Sequence, residues 1–383
     1  MSTRPHVVIA GAGYAGLAAF LALRGQVESG SLQVEIVNAD DRHLLLPELP
    51  LFLAGKNGED QVRLHLKRIL PKDVRLIVAR VESIDVSGPA LVCHGTTGRI
   101  PCDGLIVTLG SIPSDFGVPG VKENSIPIGR WDDIAALRQQ LLEDLHGKSG
   151  RNVAVIGGGF TGVEIAADLA EQAQREQSHL IVTLIGPGIL PSMPDEMQQR
   201  AAAGLRQLDV RFVSGRVRAV EPGKVCLASG PVVEAETIVW AAGVQANPVL
   251  SHSGLRVNHR GQVTADPFLR IAPRVFGAGD CVQVIDTKTH RPIAPTAQAA
   301  LQSGPAAGWN LLRDLQGQEL LPFHPKDRGF LVSLGRHNAT GTVSGHNVQG
   351  GDAAALKRVI ELYHAFQVGG LHALAHQLVQ AAH

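Results

Sequence analysis

The sequence predicts an α/β fold in which one βαβ unit is inserted into another, and three observations predict it. A strand, glycine turn and helix pattern occurs twice, and two hydrophobic strands ending at glycine mark crossings between the units. In addition, 44% of the 383 residues are hydrophobic and 18% charged, enough apolar surface for more than one core.

The repeat is the strongest signal. Val7-Val8-Ile9-Ala10-Gly11-Ala12-Gly13-Tyr14-Ala15-Gly16 returns 146 positions later as Val153-Ala154-Val155-Ile156-Gly157-Gly158-Gly159-Phe160-Thr161-Gly162. Residues 17–23 and 163–170, rich in good helix formers, follow the turns, and each copy then reaches a β-rich run at 32–37 or 180–185. In such a turn the first glycine permits a tight bend and the second lets backbone approach a pyrophosphate. The third allows close helix and strand packing, and the helix N-terminus faces the phosphates. One match is weak evidence, but two in matching context predict dinucleotide binding twice over.

A later run, Val275-Phe276-Gly277-Ala278-Gly279-Asp280, predicts a strand ending in a turn whose carboxylate can accept hydrogen bonds from ribityl hydroxyls. The first unit is therefore discontinuous. Residues 1–119 and 246–320 form a flavin (FAD) domain, residues 120–245 an inserted nicotinamide-cofactor domain, and residues 321–383 a small C-terminal α/β region ending in helices. Residues 105–111 and 238–243 are the crossings, and both have the character of hinges.

Composition removes several classes. Thirty-five basic residues balance thirty-five acidic ones, which argues against a nucleic-acid partner. No run approaches 18 apolar residues, so no membrane-spanning helix is expected, and residues 7–10 are too short and glycine-interrupted for a signal peptide. The expectation is a cytoplasmic protein, with any membrane contact peripheral and on the cytoplasmic face. Cys93, Cys102, Cys226 and Cys281 form no close pair or metal spacing and are expected as reduced thiols. His372 and His376 lie one helical turn apart, but without a third ligand they predict a solvated face and no metal.

Ala297-Gln298-Ala299-Ala300-Leu301-Gln302-Ser303-Gly304 matches the motif Ala-Gln-x-Ala-x-Gln-x-Gly at every fixed position. With residues 43–47, 116–120, 240–244 and 331–336, this segment resembles the type II NADH dehydrogenases. These are single-chain NADH:quinone oxidoreductases within the two-dinucleotide-domain flavoproteins, and the resemblance runs over nearly the whole chain. It implies that hydride passes from NAD(P)H to FAD and electrons then pass to a quinone, without proton pumping. It also implies that Gly11, Gly13 and Gly16 hold the FAD pyrophosphate, Asp280 its ribityl chain, and the backbone of Val81, at the end of a strand over 76–81, its adenine. Gly157, Gly159 and Gly162 would serve NADH or NADPH. The cofactor-binding set extends to Ala15, Gly110, Ala297, Thr161 and Gly243. Gln298 and Gln302 would lie on the quinone face of the flavin, on a helix starting near Thr296. Glu164 would lie near nicotinamide and flavin, orienting the cofactor or relaying protons; the plain alternative is a first-turn carboxylate favoured by the helix dipole.

The acid expected after each second strand, to hold ribose hydroxyls, is missing in both halves. Asn38 stands there in the first, where its amide can still bond a ribose; Gly186-Pro187-Gly188 stands there in the second, with no Arg or Lys immediately after. NADH against NADPH is thus undecided from the residues, and the resemblance favours NADH. Disulfide reductases are disfavoured, because residues 41–53 contain no cysteine. Two alternatives stay open. One is a sulfide:quinone oxidoreductase-like enzyme using Cys281, whose plain explanation is a small buried residue; the other is a redox-sensing flavoprotein.

Residues 353–382 predict two short helices around Gly369-Gly370, with Leu356, Val359, Ile360, Tyr363 and Phe366 on one apolar face. In the family this end contacts the membrane. Lys357 and Arg358 are the nearby basic residues. The alternative is a hairpin packed on its own core or on a second subunit, as in a homodimer.

Overall fold

A computed structural model describes residues 4–95, 98–147, 150–286, 289 and 291–379, the last eleven by backbone only. The first unit runs β1 (His6–Ala10), α1 (Tyr14–Glu28), β2 (Gln33–Asn38) and β3 (Arg75–Val78). An antiparallel sheet of β4 (Val81–Asp85), β5 (Ala90–Cys93) and β6 (Gly98–Pro101) follows, and β7 (Gly104–Val107) returns to lie beside β1. After β8 (Ser111–Pro113), β9 (Ile126–Pro127) and α2 (Trp131–His146), the second unit repeats this path. It has β10 (Asn152–Ile156), α3 (Phe160–Arg175), β11 (Ile181–Gly186), α4 (Asp195–Gln207) and β12 (Arg211–Ser214). The antiparallel β13 (Val217–Glu221), β14 (Lys224–Leu227) and β15 (Val232–Glu234) come next, and β16 (Thr237–Trp240) returns beside β10.

The chain re-enters the first sheet through β17 (Val244–Ala246), β18 (Arg270–Ala272) and β19 (Val275–Gly277). Its order is β18-β19-β7-β1-β2-β3, with only β18 antiparallel; the second sheet, β9-β16-β10-β11-β12, is wholly parallel. Buried on both faces, β1, β7, β10 and β16 are runs of apolar residues without alternation, as parallel sheets require. The two crossings meet: β8 and β17 pair antiparallel, Ser111 with Ala246 and Pro113 with Val244, forming one ribbon between the units. Beyond α5 (Ala297–Leu315) the chain adds a meander of β20 (Gly329–Ser333), β21 (Ala339–Val343) and β22 (His346–Gln349), then α6 (Gly350–Val379).

Two sequence expectations are corrected. The strand expected over 76–81 ends at Val78, and Val81 opens the antiparallel sheet opposite Cys93, because the chain must turn out of the parallel sheet there. The strand expected from Val275 does end in a turn that carries Asp280: it runs to Gly277 and is followed by a turn of 3₁₀ helix. The two short C-terminal helices are one thirty-residue helix: Gly369 and Gly370 weaken a helix by about 1 kcal/mol each but do not end it.

Candidate active site: two nucleotide cradles and a buried ion-pair network

The two glycine turns have the same geometry. Gly11 (φ 107°) and Gly157 (φ 126°) occupy backbone space that L side chains rarely adopt, and a Cβ there would meet the carbonyl oxygens of Thr108 at 2.3 Å and Ala241 at 2.4 Å. A Cβ on Gly16 or Gly162 would stand 1.9 Å from the carbonyl oxygen of Gly11 or Gly157. At the middle glycines, Gly13 and Gly159, no atom lies within 4 Å of such a Cβ. The outer glycines thus close each turn, and the middle one leaves an open approach. Neither α1 nor α3 has a side-chain cap or an acidic residue in its first turn, so their leading N–H groups remain available to an anion. These cradles fit the pyrophosphates of two dinucleotides. Thr161 is exposed in the first turn of α3.

Around the first cradle, the Asn38 amide is engaged within the protein. Its Oδ1 accepts from Ala12 N at 2.9 Å and its Nδ2 donates to Asp40 O at 2.8 Å, so it braces the glycine turn. Thr108 Oγ1 sits 2.9 Å from both Ala10 O and Gly11 O. Asp280 Oδ2 accepts from Ser111 Oγ at 2.9 Å, and burial pushes its carboxyl above the usual aspartate range despite that bond. Gly110 (φ 64°) has open space where a Cβ would be, and Gly243 (φ 147°) faces Phe116. Ala15 lies beneath Gly279 and Gly304, whose added Cβ atoms would meet it at 2.9 Å (its Cβ) and 2.3 Å (its carbonyl oxygen), so α1 and α5 touch through small residues. Cys281 is buried and its thiol is pushed up to about 12, which keeps it protonated and inert at neutral pH.

Helix α5 begins at Ala297, half-buried, with Thr296 Oγ1 accepting from Ala299 N at 3.1 Å as its N-cap. Gln302 holds Lys326 twice, donating to its carbonyl at 2.9 Å and accepting from its N–H at 2.8 Å. Gln298 donates to Gly329 O at 2.9 Å and accepts from Arg328 N at 2.8 Å. Both amides therefore hold the strand entering β20 against α5.

Glu164 is not the first-turn carboxylate of the plain alternative: it lies at the fifth position of α3. It is buried, and Oε1 accepts from Ser333 N at 2.9 Å and Lys357 Nζ at 2.7 Å. Lys357 also donates to Ser333 Oγ at 2.7 Å and pairs with Glu361 at 3.2 Å. Desolvation pulls its pKa down, but the fields of Glu164 and Glu361 and the Glu164 hydrogen bond outweigh it, so Lys357 stays charged with its pKa above normal. Arg358 donates to Glu48 at 2.7 Å, whose other oxygen accepts from Asn57 at 2.6 Å. One turn after Glu164, buried Asp168 accepts from Lys56 at 2.8 Å, with its carboxyl raised by burial. Lys357 and Arg358 thus face inward, while Val359, Ile360, Tyr363 and Phe366 are 42–60% exposed. The inward face of α6 thus carries charged Lys357 and Glu361 between buried Ala353, Ala365 and Val368, and the chain forms one helix here in place of the hairpin.

A second cluster was not legible as a site. Tyr14 stacks on His364 with centroids 4.4 Å apart, and His43 lies 5.2 Å from Tyr14. His43 Nδ1 donates to the Ala12 carbonyl at 3.0 Å, whereas His43 Nε2 and both His364 nitrogens are buried without a partner among the described residues. Burial lowers His43 and His364 to about 4 and raises Tyr14 well above its usual value. The side chains of His372 and His376 lie outside the described residues, among which no metal-binding group of three or more His, Cys, Asp or Glu occurs.

Two glycine cradles in repeated units define the class: the pyridine nucleotide-disulphide oxidoreductase family profile matches residues 5–304. The chain is 31% identical to the type II NADH:quinone oxidoreductase of Staphylococcus saprophyticus, over 96% of this chain and 97% of that one. It is 28% identical to that of Staphylococcus aureus over the same shares. NDH2 from Plasmodium falciparum in complex with NADH superposes with a TM-score of 0.85 at 15% identity, covering 98% of this chain and 97% of that one. The sulfide:quinone oxidoreductase of Aquifex aeolicus superposes at 0.77 with 19% identity, over 95% and 91%. The chain belongs to the type II NADH:quinone oxidoreductase family within the pyridine nucleotide-disulphide oxidoreductases.

Lys357, Ser333 and Glu361 are the residues that sequence reasoning missed. Ser333 stood in a recognised stretch, but its partner Glu164 is 169 residues away, and Lys357 carried no signal beyond its charge.

Proposed function

We propose that the chain catalyses NADH oxidation with a quinone as acceptor, that residues 1–119 and 246–320 bind FAD, and that residues 120–245 bind the nicotinamide dinucleotide. The observation that carries this reading is the pair of cradles with open middle glycines, joined by the β8 and β17 ribbon. When bound, FAD supplies the hydride acceptance and onward electron delivery. The amides at the starts of α1 and α3 hold the two pyrophosphates, and Asp280 with Ser111 orients the ribityl chain. Glu164, fixed by Ser333 and Lys357, sets the nicotinamide side and is the group through which a proton would pass to the buried Lys357 and Glu361 cluster. Gln298 and Gln302 shape the acceptor side by holding residues 326–329.

The exposed Val359, Ile360, Tyr363 and Phe366 support peripheral contact with a membrane from which a lipid quinone is drawn. No helix among the described residues is long and apolar enough to cross a membrane. The sulfide reading lacks support from Cys281, whose thiol is buried and protonated. The test is steady-state NADH oxidation with and without a soluble quinone, together with Gln302→Met. Quinone reduction should fall while flavin bleaching by NADH continues; equal loss of both half-reactions would remove Gln302 from the acceptor side.

A further inference from the structure

The two units correspond well beyond the glycine turns. Asn38 pairs in register with Val78 where β2 and β3 end, and Gly186 pairs with Ser214 where β11 and β12 end. The residue that follows each third strand bonds back in the same way: Ala79 N donates to Asn38 O at 2.9 Å, and Gly215 N donates to Gly186 O at 3.0 Å. Arg80 O then accepts from His94 N, and Arg216 O from Ala228 N. Arg216 therefore leaves the carboxyl edge of the second sheet next to the end of β11, the edge where dinucleotides bind in such sheets. Neighbouring strands lie about 4.8 Å apart, so the end of β11 is within reach of an arginine side chain.

The halves differ at the second-strand end. Asn38 presents an amide in the first, whereas Gly186 presents no side chain, and a Cβ there would meet Gly158 N at 2.9 Å. The second unit therefore has no carboxylate at this place to reject a second phosphate. Arg216 is exposed and makes no side-chain hydrogen bond or ion pair among the described residues.

We propose that Arg216 binds the adenosine 2′-phosphate of NADPH, so that the second unit takes NADPH as well as NADH. The inference rests on the nicotinamide reading of that unit. The sequence had offered no basic residue after β11; the parallel pairing of β12 supplies one from 30 positions downstream. A guanidinium forks onto phosphate oxygens through charge-assisted hydrogen bonds.

Calorimetric titration of FAD-loaded protein with NAD⁺ and NADP⁺ tests this. Wild-type protein should bind NADP⁺ at least as tightly as NAD⁺, and Arg216→Gln should weaken NADP⁺ by about tenfold or more, the scale of one charge-assisted contact, with NAD⁺ within about twofold. The Arg216→Gln effect should shrink as pH falls below about 6, where the 2′-phosphate gains a proton. Arg218→Gln, two residues further on and within β13, should leave the ratio unchanged. Equal weakening of both nucleotides by Arg216→Gln, or an equal loss from Arg218→Gln, would overturn the assignment. Binding of neither nucleotide would overturn the nicotinamide reading itself, and this inference with it.

Discussion

Lys357 Nζ lies 2.7 Å from Glu164 Oε1, joining the C-terminal helix to the first turns of α3 through an ion pair with little solvent on either side. Removing one member of such a pair leaves the other buried and unpaired, which costs about 3–5 kcal/mol. Lys357→Met, which leaves Glu164 without its cation and Glu361 with only the longer Arg358 contact at 3.7 Å, is expected to destabilise the FAD-loaded protein by about 3 kcal/mol or more. Glu164→Gln keeps an acceptor for Ser333 N and should cost less. Urea unfolding at pH 7 checks this, and Lys357→Met unfolding at the wild-type midpoint would count against it.

The glycines of one turn should fail in different ways. Gly16→Ala drives a Cβ to 1.9 Å from the Gly11 carbonyl oxygen, so this variant should lose helical signal and melt early. Gly13→Ala meets nothing in the protein and should fold, yet hold less FAD because its methyl stands in the cradle. Circular dichroism and the flavin-to-protein absorbance ratio separate the two outcomes.

His43 gives stability a defined dependence on pH. Its folded value of about 4 lies below the ordinary 6.5, desolvation being the largest cause and His364 the next. The unfolded chain therefore takes up the proton first. Stability is complete above about pH 6.5, falls as the pH drops from there, and levels off below about 4, with a loss of roughly 3 kcal/mol from this residue. His43→Gln, which can still donate to Ala12 O, should flatten a plot of melting temperature against pH over that interval. An unchanged slope would show that other groups govern it.

The exposed face of α6 should decide where the protein sits. Ile360→Glu with Phe366→Glu, which removes the apolar anchors and adds charge that anionic lipid repels, is expected to abolish sedimentation with anionic lipid vesicles while leaving soluble-quinone turnover near wild type. If the pair instead converts a dimer to a monomer on a sizing column with vesicle binding unaffected, the face is a subunit contact.

Local pattern determined much of this protein. The two glycine turns, their flanking strands and the helix carrying Gln298 and Gln302 were legible because turn chemistry and apolar runs act over a few residues. The break after Val78 was not, since leaving a sheet depends on what the next strand pairs with. Helix α6 misled for a related reason. Its apolar stripe conventionally predicts the buried face, but acids on two distant segments, Glu48 and Glu164, together with Glu361 one turn along the helix, draw Lys357 and Arg358 inward. Only the tertiary structure could assemble the Glu164, Ser333 and Lys357 contact, the Tyr14, His43 and His364 cluster, and the placement of Arg216 beside Gly186. Each joins groups far apart in the chain, and partnership between distant polar groups leaves no periodic trace in the residues that form it.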